Sequence, residues 1–246
     1  TITPTPDEGY AVDTVIVTDP NGKEVAVTPN DDGTYTFAQP SGKVTITVTF
    51  RKLDSVSDCP RDENCPMVPF TDAERNAWYH DGVHYCVEHG LMMGTSQTTF
   101  APDIVTTRGM IVTILWRLEG SPIVGGPLDY DDVKAEDWYG EAVRWADSAG
   151  IVTGYGNGKF GPNDTITREQ MAVMLWRYAG RPKVGGSLFS FTDGAQTSSW
   201  AQSAMIWAVE QSLITGAGND RLEPKGQATR AQAATILMRF AKDIAQ

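Results

Sequence analysis

Residues 130–180 read YDDVKAEDWYGEAVRWADSAGIVTGYGNGKFGPNDTITREQMAVMLWRYAG, and a near-copy stands on each side. Trp138, Gly154, Pro162, Arg168 and Arg177 recur as Trp78, Gly94, Pro102, Arg108 and Arg117, then as Trp200, Gly216, Pro224, Arg230 and Arg239. The tryptophan-to-glycine step is 16 residues in all three copies and the glycine-to-arginine step is 14. A fixed period of about 60 residues marks a repeat architecture. The repeats occupy 70–122, 130–182 and 190–246, separated by the similar spacers SPIVGGPLD and RPKVGGSLF, whose Pro and Gly-Gly break any helix.

Each copy follows one grammar. An acidic opening (Asp72, Asp132, Asp193) leads to the tryptophan and a helix, whose apolar face in the second copy is Ala142, Val143 and Ala146. A turn at Gly150, a short apolar stretch and the nine-residue loop GYGNGKFGP follow. The next helix opens on a capping box, Thr167 with Gln170, repeated as Thr229 with Gln232; Thr107 keeps the cap but has Met110 as its partner. Met171, Met174, Leu175 and Tyr178 fall at i, i+3, i+4 and i+7, matching Ile111, Ile114, Leu115 and Leu118, then Ala233, Ile236, Leu237 and Phe240. A stripe kept in three copies predicts that these helices bury the same face. One helix–loop–helix cannot bury its own stripe, so the expected architecture is a mainly α, closed pseudo-threefold bundle.

Working outward, residues 1–52 alternate apolar and β-branched positions between turns such as PNGK and NDDG. This predicts a small antiparallel β-sandwich-like module of four or five strands. Residues 53–69, LDSVSDCPRDENCPMVP, have no period and read as a linker. Cys59 and Cys65 flank its polar loop and are expected to pair as a disulfide. Cys86 aligns with Ala146 and Ala208 and reads as a small buried helix residue.

Hydrophobic content of 41% and charged content of 21% describe a globular chain. No apolar run approaches the roughly 18 residues of a membrane-spanning helix, so no membrane insertion is expected. A net charge of −11 argues against nucleic-acid binding. It leaves room for an anionic ligand, because charges more than about 8 Å apart are largely screened at physiological salt. The opening in strand-like sequence suggests a piece of a longer, exported protein.

An arginine in the first turn of a helix opposes the dipole, yet Arg108, Arg168 and Arg230 all sit there. Beside free backbone amides such a guanidinium suits a carboxylate. Trp78, Trp138 and Trp200 are either core residues or platforms for the apolar faces of sugar rings. Asp72, Asp132 and Asp193 either accept sugar hydroxyls or tie down their own loops. Gly154 and Gly156 either admit a ligand to the backbone or serve turn geometry. Arg117, Arg177 and Arg239 lie near helix C-termini, where a cation is favourable in any case.

The Trp and Thr-Arg, in register three times over residues 70–242, with the G-[LI]-[MVI]-x-G turn and F-x-P in the first two copies, resemble the S-layer homology (SLH) domain family, here preceded by a small bacterial surface-protein β-module. The resemblance implies a three-pronged fold that attaches a surface protein, without covalent bonds, to secondary cell-wall polysaccharide, often pyruvylated, in grooves between repeats. The family's T-R-A-E motif falls on Thr107-Arg108-Gly109-Met110, Thr167-Arg168-Glu169-Gln170 and Thr229-Arg230-Ala231-Gln232. All three keep the arginine and none keeps the final glutamate. The first loop, GTSQTTFAP, lacks the internal glycines, and Leu222 stands where the others have Phe100 and Phe160.

The expected function is therefore wall anchoring at the bacterial cell surface, with a cell-wall polysaccharide as partner and no catalysis by this chain. The rivals are an adhesin that meets host surface molecules and uses the repeats as scaffold, and an enzyme whose catalytic domain lies upstream. His80 and His84 have zinc-ligand spacing, but their equivalents are Gly140 and Arg144, then Gln202 and Ile206, and no third ligand is apparent. No metal site and no cofactor are expected.

Overall fold

The computed structural model describes residues 1–5, 10–30, 34–52, 59 and 61–245. They separate into two units, Thr1–Cys59 and Pro60–Gln246. In the first, β1 (Tyr10–Thr18) pairs antiparallel with β2 (Glu24–Val25) on one side and β5 (Thr45–Lys52) on the other. β3 (Val27–Pro29) and β4 (Tyr35–Phe37) form a second, two-stranded antiparallel sheet. The turn into β2 is closed by the Gly22 amide bonding Asp19, with Gly22 at φ +81°. The second expected turn, at residues 31–33, lies outside the described residues. Val17 is fully buried while its neighbour Ile16 is exposed, the alternation a half-buried strand requires.

Among its described residues the second unit holds six α-helices, two per repeat. They are α1 (His80–Glu88), α2 (Arg108–Leu118), α3 (Gly140–Ser148), α4 (Arg168–Tyr178), α5 (Gln202–Glu210) and α6 (Arg230–Asp243). Each longer helix starts where expected. Thr167 and Thr229 form complete capping boxes with Gln170 and Gln232. Thr107 accepts only the Met110 amide. The shared stripe is buried through Ile111, Leu115, Met171, Leu175 and Leu237. Cys86 is fully buried, as its alignment with alanines predicted, and burial pushes its thiol up to about 12.

Packing between repeats is cyclic. The first helix of each repeat lies against the second helix of another: α3 on α2, α5 on α4, and α1 on α6. Where α1 and α6 touch, Gly82 leaves no room for a side chain, since a Cβ would stand 2.6 Å from the Thr235 backbone. Just before the longer helices, three equivalent residues close a ring of backbone bonds. Thr106 N donates to Ala228 O (2.8 Å), Ala228 N to Ile166 O (3.1 Å), and Ile166 N to Thr106 O (3.0 Å). All three residues are fully buried.

Of residues 53–69, expected as linker, 53–58 and 60 lie outside the described residues, and 61–69 are folded instead. They form successive turns in which Cys65 N bonds Asp62 O and Val68 N bonds Cys65 O, and Met67 is fully buried. The expected Cys59–Cys65 disulfide is not formed, and both residues carry thiols. The Cys65 sulfur instead faces two imidazoles, 3.5 Å from His80 Nε2 and 3.6 Å from His84 Nδ1.

Candidate functional site

The three first-turn arginines are buried, and each reaches out of its own repeat. Arg108 donates Nε–H to Phe160 O (3.0 Å) and an Nη hydrogen to Thr153 O (3.2 Å). Arg168 donates Nε–H to Leu222 O (2.7 Å). Arg230 donates Nε–H to Phe100 O (2.8 Å) and an Nη hydrogen to Met93 O (2.7 Å). The Arg108 guanidinium also lies 4.6 Å from the Phe160 ring centroid and 4.9 Å from that of Tyr155, and Arg230 lies 4.5 Å from that of Phe100. Burial lowers the pKa of all three, but an arginine stays charged at neutral pH. Among the described residues none of the three makes a salt bridge. The charge is held by carbonyls, so part of each five-donor guanidinium remains for an anion.

Each of these arginines lines a groove beside a loop it does not belong to. The first groove, about 250 Å³, is floored by Leu91–Thr95 and α2 and joined by Trp138 and Arg230. The second, about 470 Å³, is floored by Val152–Tyr155 and α4 and joined by Trp200 and Arg108. The third, about 420 Å³, is floored by Leu213–Ala217 and α6 and joined by Trp78 and Arg168. Every groove thus draws on all three repeats. The tryptophans are not core: Trp78, Trp138 and Trp200 are 67%, 59% and 58% exposed. Trp78 and Trp138 are braced edge-on by the buried rings of Tyr79 and Tyr139.

A second arginine in each groove escaped the sequence reading. Arg117, Arg177 and Arg239 were assigned to helix C-termini alone, yet they line the first, second and third grooves. Their Nη1 atoms donate to Leu91 O (3.1 Å), Ile151 O (3.4 Å) and Leu213 O (3.3 Å). Their triple recurrence was a usable signal, and helix electrostatics explained it away. Two guanidiniums and one indole line each groove, a combination whose chemistry suits a carboxylate beside an apolar face. The grooves differ at the position after Thr-Arg-X, where Gln170 and Gln232 line the second and third and Met110 lines the first.

The acidic residues do another job. Asp132 accepts Phe160 N and Gly161 N, both at 2.8 Å; Asp72 accepts Phe100 N and Ala101 N; Asp193 accepts Leu222 N and Glu223 N. Both oxygens of each carboxylate thus clamp the loop, and none of the three lines a groove. Of the two readings of Asp72, Asp132 and Asp193, the tie to the loop is the one these bonds support, and the reading as acceptors for sugar hydroxyls is corrected accordingly. Burial works against the charge on Asp193, but the Leu222 and Glu223 amides and Arg221 outweigh it and hold its pKa below the ordinary value. Gly154 lines the second groove, and a Cβ there would stand 2.5 Å from the Tyr130 ring. Gly156 does not line it; its φ of +81° places it there for the turn.

Fold and grooves together define a tandem-repeat protein with one composite cleft per repeat. A model of the S-layer homology domain matches residues 69–109, 129–172 and 190–234, and the chain belongs to this family. It is similar to an endoglucanase of Bacillus sp. (strain KSM-635), 32% identical over 173 residues, 69% of this chain and 18% of that protein. Exoglucanase XynX of Acetivibrio thermocellus is 32% identical over 177 residues, 69% of this chain and 16% of that protein. The S-layer protein sap of Bacillus anthracis is 29% identical over 174 residues, 70% of this chain and 21% of that protein. The chain spans about a fifth or less of the length of these relatives. No helix among the described residues is long and apolar enough to cross a membrane.

Proposed function

We propose that this chain holds a bacterial surface protein on its cell wall by binding an acidic secondary cell-wall polysaccharide in three inter-repeat grooves, and that it catalyses nothing itself. The observation that carries this reading is the same trio in every groove, two arginines and a half-exposed tryptophan, delivered by three different repeats. A pyruvyl ketal is the acidic group we favour: its carboxylate suits the arginines, while the sugar ring lies on the indole. The cyclic helix pairing and the ring through Thr106, Ile166 and Ala228 support a closed, pseudo-threefold arrangement of the repeats. Relatives named for glucanase activity and relatives named as S-layer proteins share this region, which fits an anchor attached to varied partners. Several weak sites on one rigid body raise retention by about 10²- to 10⁴-fold without a tight single site.

Co-sedimentation with purified, protein-free cell walls tests the reading. The native chain pellets with the walls, and a variant with Trp78, Trp138 and Trp200 all changed to Ala stays in solution while keeping its helical circular dichroism. Equal pelleting of both, or no pelleting of the native chain, overturns it. Binding to host molecules but not to walls would favour the adhesin instead.

A further inference from the structure

The pair His80 and His84, spaced as ligands yet without an evident third partner in the sequence, acquires one in the fold. The turns of residues 61–69 carry Cys65 onto the exposed end of neither helix nor loop but into the same buried corner as the two imidazoles, 3.5 and 3.6 Å away. Cys59, six residues earlier, supplies a second sulfur, and the four ligand atoms all lie within 4.8 Å of one another. Each imidazole presents one nitrogen to the cluster and the other to a carboxylate. His80 turns Nε2 inward and bonds Asp81 Oδ1 through Nδ1 at 2.9 Å. His84 turns Nδ1 inward and meets Glu88 Oε2 through Nε2 at 3.3 Å. A carboxylate behind each imidazole fixes the tautomer and makes the inward nitrogen a better donor, the usual support of a metal-bound histidine.

We propose that Cys59, Cys65, His80 and His84 bind one zinc ion as a closed structural site. Two thiolates and two neutral imidazoles match the tetrahedral S₂N₂ preference of Zn²⁺, and the thiolates cancel its charge. The site has no counterpart at the other two repeats, because the equivalents of the two histidines are Gly140 and Arg144, then Gln202 and Ile206. The ion ties the turns of residues 61–69 to α1 and keeps Cys59 and Cys65 from oxidising to a disulfide. Binding releases the thiol protons, so affinity rises with pH.

The test uses the full chain, reduced, stripped with a chelator and dialysed against zinc. Elemental analysis should find one zinc per chain, and cobalt in its place should show a thiolate charge-transfer band. Cys65→Ser should weaken zinc binding by more than about 100-fold, beyond the roughly 10- to 100-fold expected of the outer-shell changes Asp81→Asn and Glu88→Gln. Cys86→Ser should bind as the native chain does. Should Cys65→Ser fail to fold, the two outer-shell variants, which leave all four ligands in place, decide the matter. A fully reduced native chain that retains no zinc overturns the proposal, as does native affinity in Cys65→Ser or in both outer-shell variants. None of these readouts involves cell walls, so the zinc site and the anchoring function stand or fall separately.

Discussion

Arg230, in the first turn of the last helix, donates its Nε–H to the carbonyl of Phe100, 130 residues earlier. The amide of that same Phe100 is held by Asp72. The pattern repeats with Arg108 and Asp132 on Phe160, and with Arg168 and Asp193 on Leu222. One residue per loop is thus gripped from both sides, by an aspartate of its own repeat and an arginine of another. The arginines hold the groove together, whatever they would also offer to the proposed ligand. Substituting them mixes lost binding with lost structure, so cleaner tests lie elsewhere.

The exposed indoles provide one. Changing Trp200 to Ala removes a ring that is 58% exposed and leaves the core intact. The melting temperature should hold, while affinity for wall fragments falls by roughly fivefold, about 1 kcal/mol. Titration calorimetry beside thermal melts separates the two quantities.

The second arginines provide another. Arg177→Gln and Arg239→Gln keep a polar side chain at the groove but remove the charge that the proposed acidic ligand would meet. Each should weaken wall binding by about 1.5–3 kcal/mol, the range for a hydrogen bond to a charged group. The salt dependence of binding should also become shallower, which sedimentation isotherms across a sodium chloride series would reveal.

Asp193 predicts an acid limit to stability. Its pKa is depressed in the folded state, so its contribution is complete above the unfolded aspartate value, about 3.9, and is lost as pH falls through the lower folded value. Urea midpoints should drop as pH is lowered below about 4. In Asp193→Asn the midpoint should start lower and change less over that range.

Backbone strain differs between repeats. After the first helix, Gly90 and Gly150 take φ of +65° and +67°, but the third repeat places Ser212 there at +56°. A non-glycine residue pays roughly 1–2 kcal/mol in this conformation, and glycine's extra unfolded-state entropy offsets about half of the gain. Ser212→Gly should stabilise the chain by about 0.5 kcal/mol, visible as a higher urea midpoint.

Much of this was legible in the sequence because it is local or periodic. The Thr167 and Thr229 capping boxes, the stripe through Met171 and Leu175, and the burial of Cys86 follow from spacing and from aligning the copies. The part that escaped depends on partners far along the chain. Asp132 could be read as tying down a loop, but only the fold shows that Phe160 N and Gly161 N take both its oxygens. Nothing near Arg177 says that Arg108 will arrive beside it from another repeat. His80 and His84 were visible as a pair, but Cys65 joins them only once residues 61–69 fold, and those residues have no period to read.

Because each cleft is lined by residues of all three copies, excising one copy should dismantle every cleft rather than a third of them. The smallest piece that can build a complete cleft is therefore the triplet.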